Sequence, residues 1–210
     1  MKKRFAVLWI CILVLALTGC KKTQVQQPDP TQPSVPQATP APTPTPEDKP
    51  DDTPTVTDNP ALTVMLGIWE QFEGDKDVYI GGSSTDYRLA TPWQVPLLDK
   101  DFLQGALFLS EEQIPKVKAA ASLMHSLNTN NLTVGAVALE EGVDFKAFAT
   151  EVKDRILQNQ WVCGRPGGMR IVKVEECLLI LYGSGSYSGS FVDALNEAYP
   201  EAEVLCREAI

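Results

Sequence analysis

The residues able to do chemistry here are few: five cysteines, at positions 11, 20, 163, 177 and 206, and one histidine, His125. Cys163 and His125 suggest a thiol nucleophile with its base, since a thiol needs an imidazole or positive field beside it to become thiolate. His125 alternates with apolar residues in Ala121-Ser122-Leu123-Met124-His125, and no neighbour in sequence orients it. We therefore read it as a structural histidine and Cys163 as a buried or free thiol. A single histidine, and Cys163, Cys177 and Cys206 spaced without a C-x-x-C pair, give no zinc pattern. We expect no metal, no cofactor and no catalytic residue. Cys177 and Cys206 both fall on predicted strands, and the sequence leaves the pairing of the three domain cysteines open.

Two glycine runs could hold an anion. Gly183-Ser184-Gly185-Ser186-Tyr187-Ser188-Gly189 precedes a predicted helix, whose first amides carry partial positive charge. Its glycines are spaced one residue wider than a dinucleotide fingerprint, and no Gly-Lys-Ser/Thr follows. We read the run as a flexible strand-to-helix connection with a serine cap. Gly164-Arg165-Pro166-Gly167-Gly168, flanked by Arg165 and Arg170, takes the same reading. Among the aromatics, Trp69 and Trp161 lie on apolar helix stripes and belong to the core. Trp93, between prolines, is the aromatic best placed to stack on a sugar, with Tyr79, Tyr87 and Tyr187 as weaker candidates. Asn131-Leu132-Thr133 matches a glycosylation sequon, read here as coincidence.

Cys20 is different, because its surroundings specify a reaction. Lys2, Lys3 and Arg4 form a positive start, Phe5 to Leu17 is apolar throughout, and Leu17-Thr18-Gly19-Cys20 closes the segment. Those 13 apolar residues fall short of the ~20 a spanning helix needs but suit a signal peptide. A branched aliphatic, two small residues and cysteine resemble the lipobox of bacterial lipoproteins. The resemblance implies cleavage after residue 19 and a diacylglyceryl group on the Cys20 thiol, a better nucleophile than a hydroxyl. Two chains at ~0.8 kcal/mol per buried CH₂ give stable attachment where one is marginal. The implied setting is the outer face of a bacterial cell membrane.

The chain has 210 residues and a formal charge of −9, which becomes −12 without Lys2, Lys3 and Arg4. That balance argues against nucleic acid and against electrostatic docking on anionic lipid. Residues 21–60 hold 11 of the 16 prolines, no aromatic and no apolar period, so no core can form there. Residues 20–60 are thus the lipidated cysteine and a Pro/Thr-rich disordered stalk, reaching at most ~120 Å as polyproline II. Residues 61–210 suffice for one domain without metal or disulfide.

Within it, Val64, Met65, Ile68, Trp69 and Phe72 recur at helical spacing over Ala61 to Phe72. Residues 75–98 read as loop, with a short edge strand around Val78 to Ile80. Asp99 caps a short helix to Leu103, and Ser110-x-x-Gln113 has capping-box spacing. The Asn128–Asn131 cluster marks a turn, giving a hairpin of 119–127 with 132–140. Asp144 caps a helix striped by Phe145, Phe148, Val152, Ile156 and Leu157 and ending near Trp161. Met169–Val174 and Cys177–Tyr182 are strands, the second apolar on both faces. A helix from Phe191 to Tyr199 and a last edge strand, Glu203–Arg207, follow. The fold class is α+β: an antiparallel sheet with helices packed on one face, in the order α-β-β-α-β-β-α-β.

Leu132 to Leu139, Asp144 to Gln160 and Ile171 to Leu181 are similar to the strand, main helix and paired strands of an uncharacterised lipoprotein family of clostridia and their relatives. That family is described only as a domain of unknown function, and the likeness spans residues 95–200. It implies a fold and a cell-surface setting, and no activity. The function expected is therefore a membrane-anchored, non-enzymatic binding or accessory module, meeting an envelope protein or polysaccharide. A thiol-dependent hydrolase using Cys163 or Cys177, and an inhibitor or accessory subunit of an envelope enzyme or transporter, are the alternatives. Oligomeric state is left open.

Overall fold

A computed structural model describes residues 59–162 and 164–210. The signal segment, Cys20, nearly all of the stalk and Cys163 lie outside them. Helix α1 covers Pro60–Gln71, one residue earlier at each end than the apolar period predicts, because proline suits a first-turn position. Asn59 starts it: its Oδ1 accepts from Leu62 N at 2.9 Å, while its Nδ2 donates to Ala120 O at 3.2 Å. One side chain thus caps the helix and ties it to the sheet. Helix α2 is Lys100–Gly105, capped by Asp99 Oδ1 on Phe102 N. Helix α3 is Phe145–Gln158, with Asp144 Oδ1 accepting from Lys146 N and Ala147 N. It stops three residues before Trp161, the predicted end. Helix α4 is Gly185–Ala198.

The strands are β1 Tyr79–Gly82, β2 Tyr87–Leu89, β3 Trp93–Gln94, β4 Val117–His125, β5 Leu132–Leu139, β6 Gly168–Val174, β7 Cys177–Gly183 and β8 Glu203–Glu208. Every pairing is antiparallel, and the order is β2-β1-β4-β5-β7-β6-β8, with β3 also against β4. β1 and β3 share one edge of β4, meeting it at 123–125 and 121–122 respectively. The α+β class stands. Strands β2 and β3 depart from the loop expected over 75–98: at three and two residues they are too short to show alternation.

The helices do not share one face, and that expectation is corrected. Helices α1 and α4 cover one side with Ala121, Leu123, Val134, Ala136, Leu179 and Leu181. Helices α2 and α3 cover the other, against Ala120, Val137, Ile171, Leu178 and Ile180. The reason is burial: all eight residues of β5 and all seven of β7 are buried. Strands apolar on both sides need a layer on each. An element order of helices and hairpins does not reveal which side each helix takes.

The Ser110–Gln113 box forms reciprocally, with Gln113 Oε1 accepting from Ser110 N at 3.0 Å and Ser110 Oγ from Gln113 N at 3.2 Å. It opens a 3₁₀ turn, Ile114–Lys116, rather than a longer helix. Gln113 Nε2 also donates to Phe148 O at 3.0 Å, which anchors the turn to α3.

Candidate functional site

The two glycine runs converge. β6 begins at Gly168, directly opposite Gly183 at the end of β7, and Gly167 N donates to Gly183 O at 3.0 Å. Only Ser184 separates β7 from α4, so the expected loop over 183–189 is corrected: residues 185–190 are helix. Glycine in a helix interior costs roughly 0.5–1 kcal/mol against alanine, which hides such a start from propensity. The serine hydroxyls bond back instead, Ser188 Oγ to Ser184 O at 2.9 Å and Ser190 Oγ to Ser186 O at 3.4 Å. The expected serine cap is absent. Ser184 sits at the cap position, but its side chain makes no capping bond and its Oγ leans toward Asn131 O at 3.4 Å.

Between this helix start and the sheet lies an open cleft of about 630 Å³. Gly167, Gly168, Gly183, Gly185 and Gly189 line it together with Arg170 and Arg207. A methyl group added at Gly185 or Gly189 would meet nothing within 4 Å, so these backbone positions stand open to the cleft. Gly183 is the opposite case. Its added Cβ would lie 2.4 Å from Asn131 O, the carbonyl that accepts from Ser184 N at 2.9 Å. Gly183→Ala should therefore cost about 1–3 kcal/mol, as overpacking against backbone does. A urea melt of the variant checks this, and an unchanged midpoint would show that the Asn131 carbonyl is free to move.

Arg170 and Arg207 are directly opposed across β6 and β8, so their side chains leave the same face of the sheet. Met169, Ile171 and Cys206 beside them belong to the α3 face, which puts both arginines on the α4 face. Neither has an ion pair or hydrogen bond among the described residues. Like charges directly opposite destabilise a sheet. Arg170 was singled out from sequence. Arg207 was missed, because nothing short of the strand register signals its partner. Arg165 is exposed and does not line the cleft.

His125 is buried, and its Nδ1 accepts from Leu127 N and Asn128 N, both at 3.3 Å. Its ring sits edge-on to Tyr79 at 5.8 Å and Tyr187 at 4.9 Å. That is a turn-capping histidine, as the alternation with apolar neighbours indicated. Cys177 lies at the far end of the sheet. It pairs with Ala138, which pairs with Ala119, six positions from His125 and so about 20 Å along the strands. The Cys177 thiol is completely buried, and desolvation followed by the nearby Glu176 and Glu175 pushes its pKa up to about 12. A thiol so held is not a nucleophile at neutral pH. Cys177 packs on the α1 and α4 side and Cys206 on the α3 side, and both are free. Their cross-linking is prevented by the sheet between them. Cys163 lies outside the described residues; its neighbours Val162 and Gly164 both accept through their carbonyls from Asn130 Nδ2, at 2.9 and 2.6 Å.

Trp69 is core, stacked on Phe72 at 4.8 Å, with its indole N–H on Ala90 O at 3.1 Å. Trp161 lies beyond α3 yet still packs on Phe108 and Tyr182. Trp93 is half-buried, its N–H given to Asp86 at 3.0 Å and one ring face covered by the Arg88 guanidinium at 4.3 Å. Sugar stacking on that face would have to displace the arginine. Tyr79 is buried in the aromatic cluster, whereas Tyr87 is half exposed on the edge strand β2. Among the described residues, no group of acidic, histidine or cysteine side chains is arranged to hold a metal ion.

No family model, curated protein or solved structure matches this chain.

Proposed function

We propose that this protein is a membrane-anchored extracytoplasmic lipoprotein, held through lipidated Cys20, whose folded domain is a non-enzymatic binding or accessory module. The observation that carries the reading is the run Leu17-Thr18-Gly19-Cys20 behind a 13-residue apolar segment and a triply basic start. A thiol at that position is the acceptor of the acyl-bearing group, and the apolar segment is too short to serve as the anchor itself. No described helix is long and apolar enough to cross a membrane, which is compatible with attachment by lipid alone. The proline-rich residues 21–60 would hold the domain clear of the bilayer, where it meets an envelope protein or polysaccharide.

For the binding half of the reading, support comes from the cleft between β6, β7, β8 and the start of α4. Cavities of roughly 300–1,000 Å³ with a few convergent polar groups are the size range of small-ligand sites. Cys20→Ser tests the anchor: incorporation of radiolabelled fatty acid should fall to background, and the protein should leave the membrane fraction. Continued labelling of the serine variant would overturn the proposal.

A further inference from the structure

We infer that the cleft over Arg170 and Arg207 is an oxyanion site, taking the phosphate group of a phosphate ester. The inference rests on the binding-module reading and supplies the ligand class for the same cleft. Its basis is a pair of like charges that the strand register sets opposite one another beside the cleft. The chain is strongly acidic, at −9, yet two arginines are paired across β6 and β8 on one sheet face with no acidic partner among the described residues. The acidic residue lining the cleft, Glu208, follows Arg207 on β8, and alternation sends its side chain to the opposite face of the sheet.

Two adjacent arginines repel one another until an anion lies between them. Their forked donors fit the oxygens of a phosphate, which accepts two bonds from each guanidinium. The start of α4, which lines the same cleft, complements this. The amides of Gly185, Ser186 and Tyr187 are the first of a 14-residue helix, and they have no intrahelical acceptor. The cap residue leaves them free, because Ser184 makes no side-chain capping bond. Open space at Gly185 and Gly189 lets a ligand approach the backbone closely. The arginines carry the assignment; the helix end adds a favourable dipole.

The test is equilibrium dialysis of the full chain against inorganic phosphate, with Arg170→Gln, Arg207→Gln and the outlying Arg165→Gln as variants. Saturable binding that weakens roughly tenfold or more in each cleft variant, and is unchanged in Arg165→Gln, is the expected result, since one charge-assisted bond corresponds to about that factor. Removing one of two opposed like charges should leave the melting temperature unchanged or raised, so a loss of binding cannot be ascribed to unfolding. Absence of saturable binding, or binding that survives both cleft substitutions, would overturn the assignment. Displacement of phosphate by phosphatidylglycerol vesicles would identify a lipid headgroup as the source. Displacement by glycerol phosphate alone would identify a soluble or polymer-borne ester, and either pattern upholds the site. Failure here with Cys20-dependent membrane attachment intact would refute the cleft and leave the anchored-module reading standing.

Discussion

Phe191→Ala is expected to destabilise the protein by about 3–5 kcal/mol, the range for deleting a fully buried aromatic ring. Phe191 is completely buried on α4, in the core that also holds Leu62, Met65 and Ile68 of α1. Its ring lies 6.5 Å from that of Phe72, which stacks against Trp69 and meets Tyr79 edge-on at 5.5 Å. The aromatic chain continues through Tyr79 to His125 and back to Tyr187 on α4. Removing the ring therefore leaves a void at the junction of two helices and the sheet, and close-packed neighbours relax only partly into such a space. The measurement is urea denaturation. The midpoint should fall while the slope stays constant, because the native and unfolded surfaces are otherwise unchanged. Phe191→Leu should recover much of the loss. A cost below about 1 kcal/mol for the alanine variant would mean that α4 is not seated on α1 and the sheet as described.

Stability should also decline at alkaline pH, beginning near pH 9. Three buried groups set the window. Desolvation pushes the Cys177 thiol from 9.0 up to about 12, and the Tyr182 hydroxyl from 10.0 to about 12. Tyr79 rises from 10.0 to about 12, through desolvation first and then the nearby Tyr187 and Asp75. Tyr182 keeps its proton in a bond to Ala106 O at 3.1 Å. Well below pH 9 all three are protonated whether the chain is folded or not, so their contribution is level. Between pH 9 and 12 the unfolded chain releases these protons while the folded chain holds them. The folded state then binds more protons than the unfolded, and stability falls as pH rises. Urea melts at pH 8, 9 and 10 should show a falling midpoint, and Cys177→Ala should remove the part that begins at pH 9. A midpoint that stays level from pH 8 to pH 10 would show that these groups reach solvent.

These two outcomes depend on features that differ in how visible they are in the chain. Apolar recurrence at helical spacing marked α1 and α3, the Asn128–Asn131 turn with the Val- and Thr-containing run after it marked β5, and an uninterrupted apolar run marked β7, because burial acts on every third or fourth residue of a helix and on both faces of a central strand. Local hydrogen-bonding chemistry was equally visible. Asp99 and Asp144 cap the helices that follow them, and Ser110 and Gln113 bond reciprocally, since a cap needs only neighbours within three residues. His125 among apolar alternates was readable as structural for the same reason. Cys20, with its basic and apolar lead, is specified by an unbroken stretch of sequence and needs no fold to be read.

What was not visible depends on partners far along the chain. The start of α4 was hidden because glycine and serine argue against helix, and packing of Phe191, Val192 and Leu195 against the sheet overrides their propensity. The division of helices between two faces was not encoded in element order, since a hairpin or helix of given sequence can be laid on either side. Strands β2 and β3 exist only because β1 and β4 offer them edges. The same holds for the site. Arg170 and Arg207 lie 37 residues apart in the chain, and only the pairing of β6 with β8 brings their like charges together. The sequence by itself determined most of the core, and it alone carries the proposed anchor and stalk, because these rest on local pattern. The tertiary structure alone decided the cleft, because strand register and helix placement are set by burial summed over the whole domain.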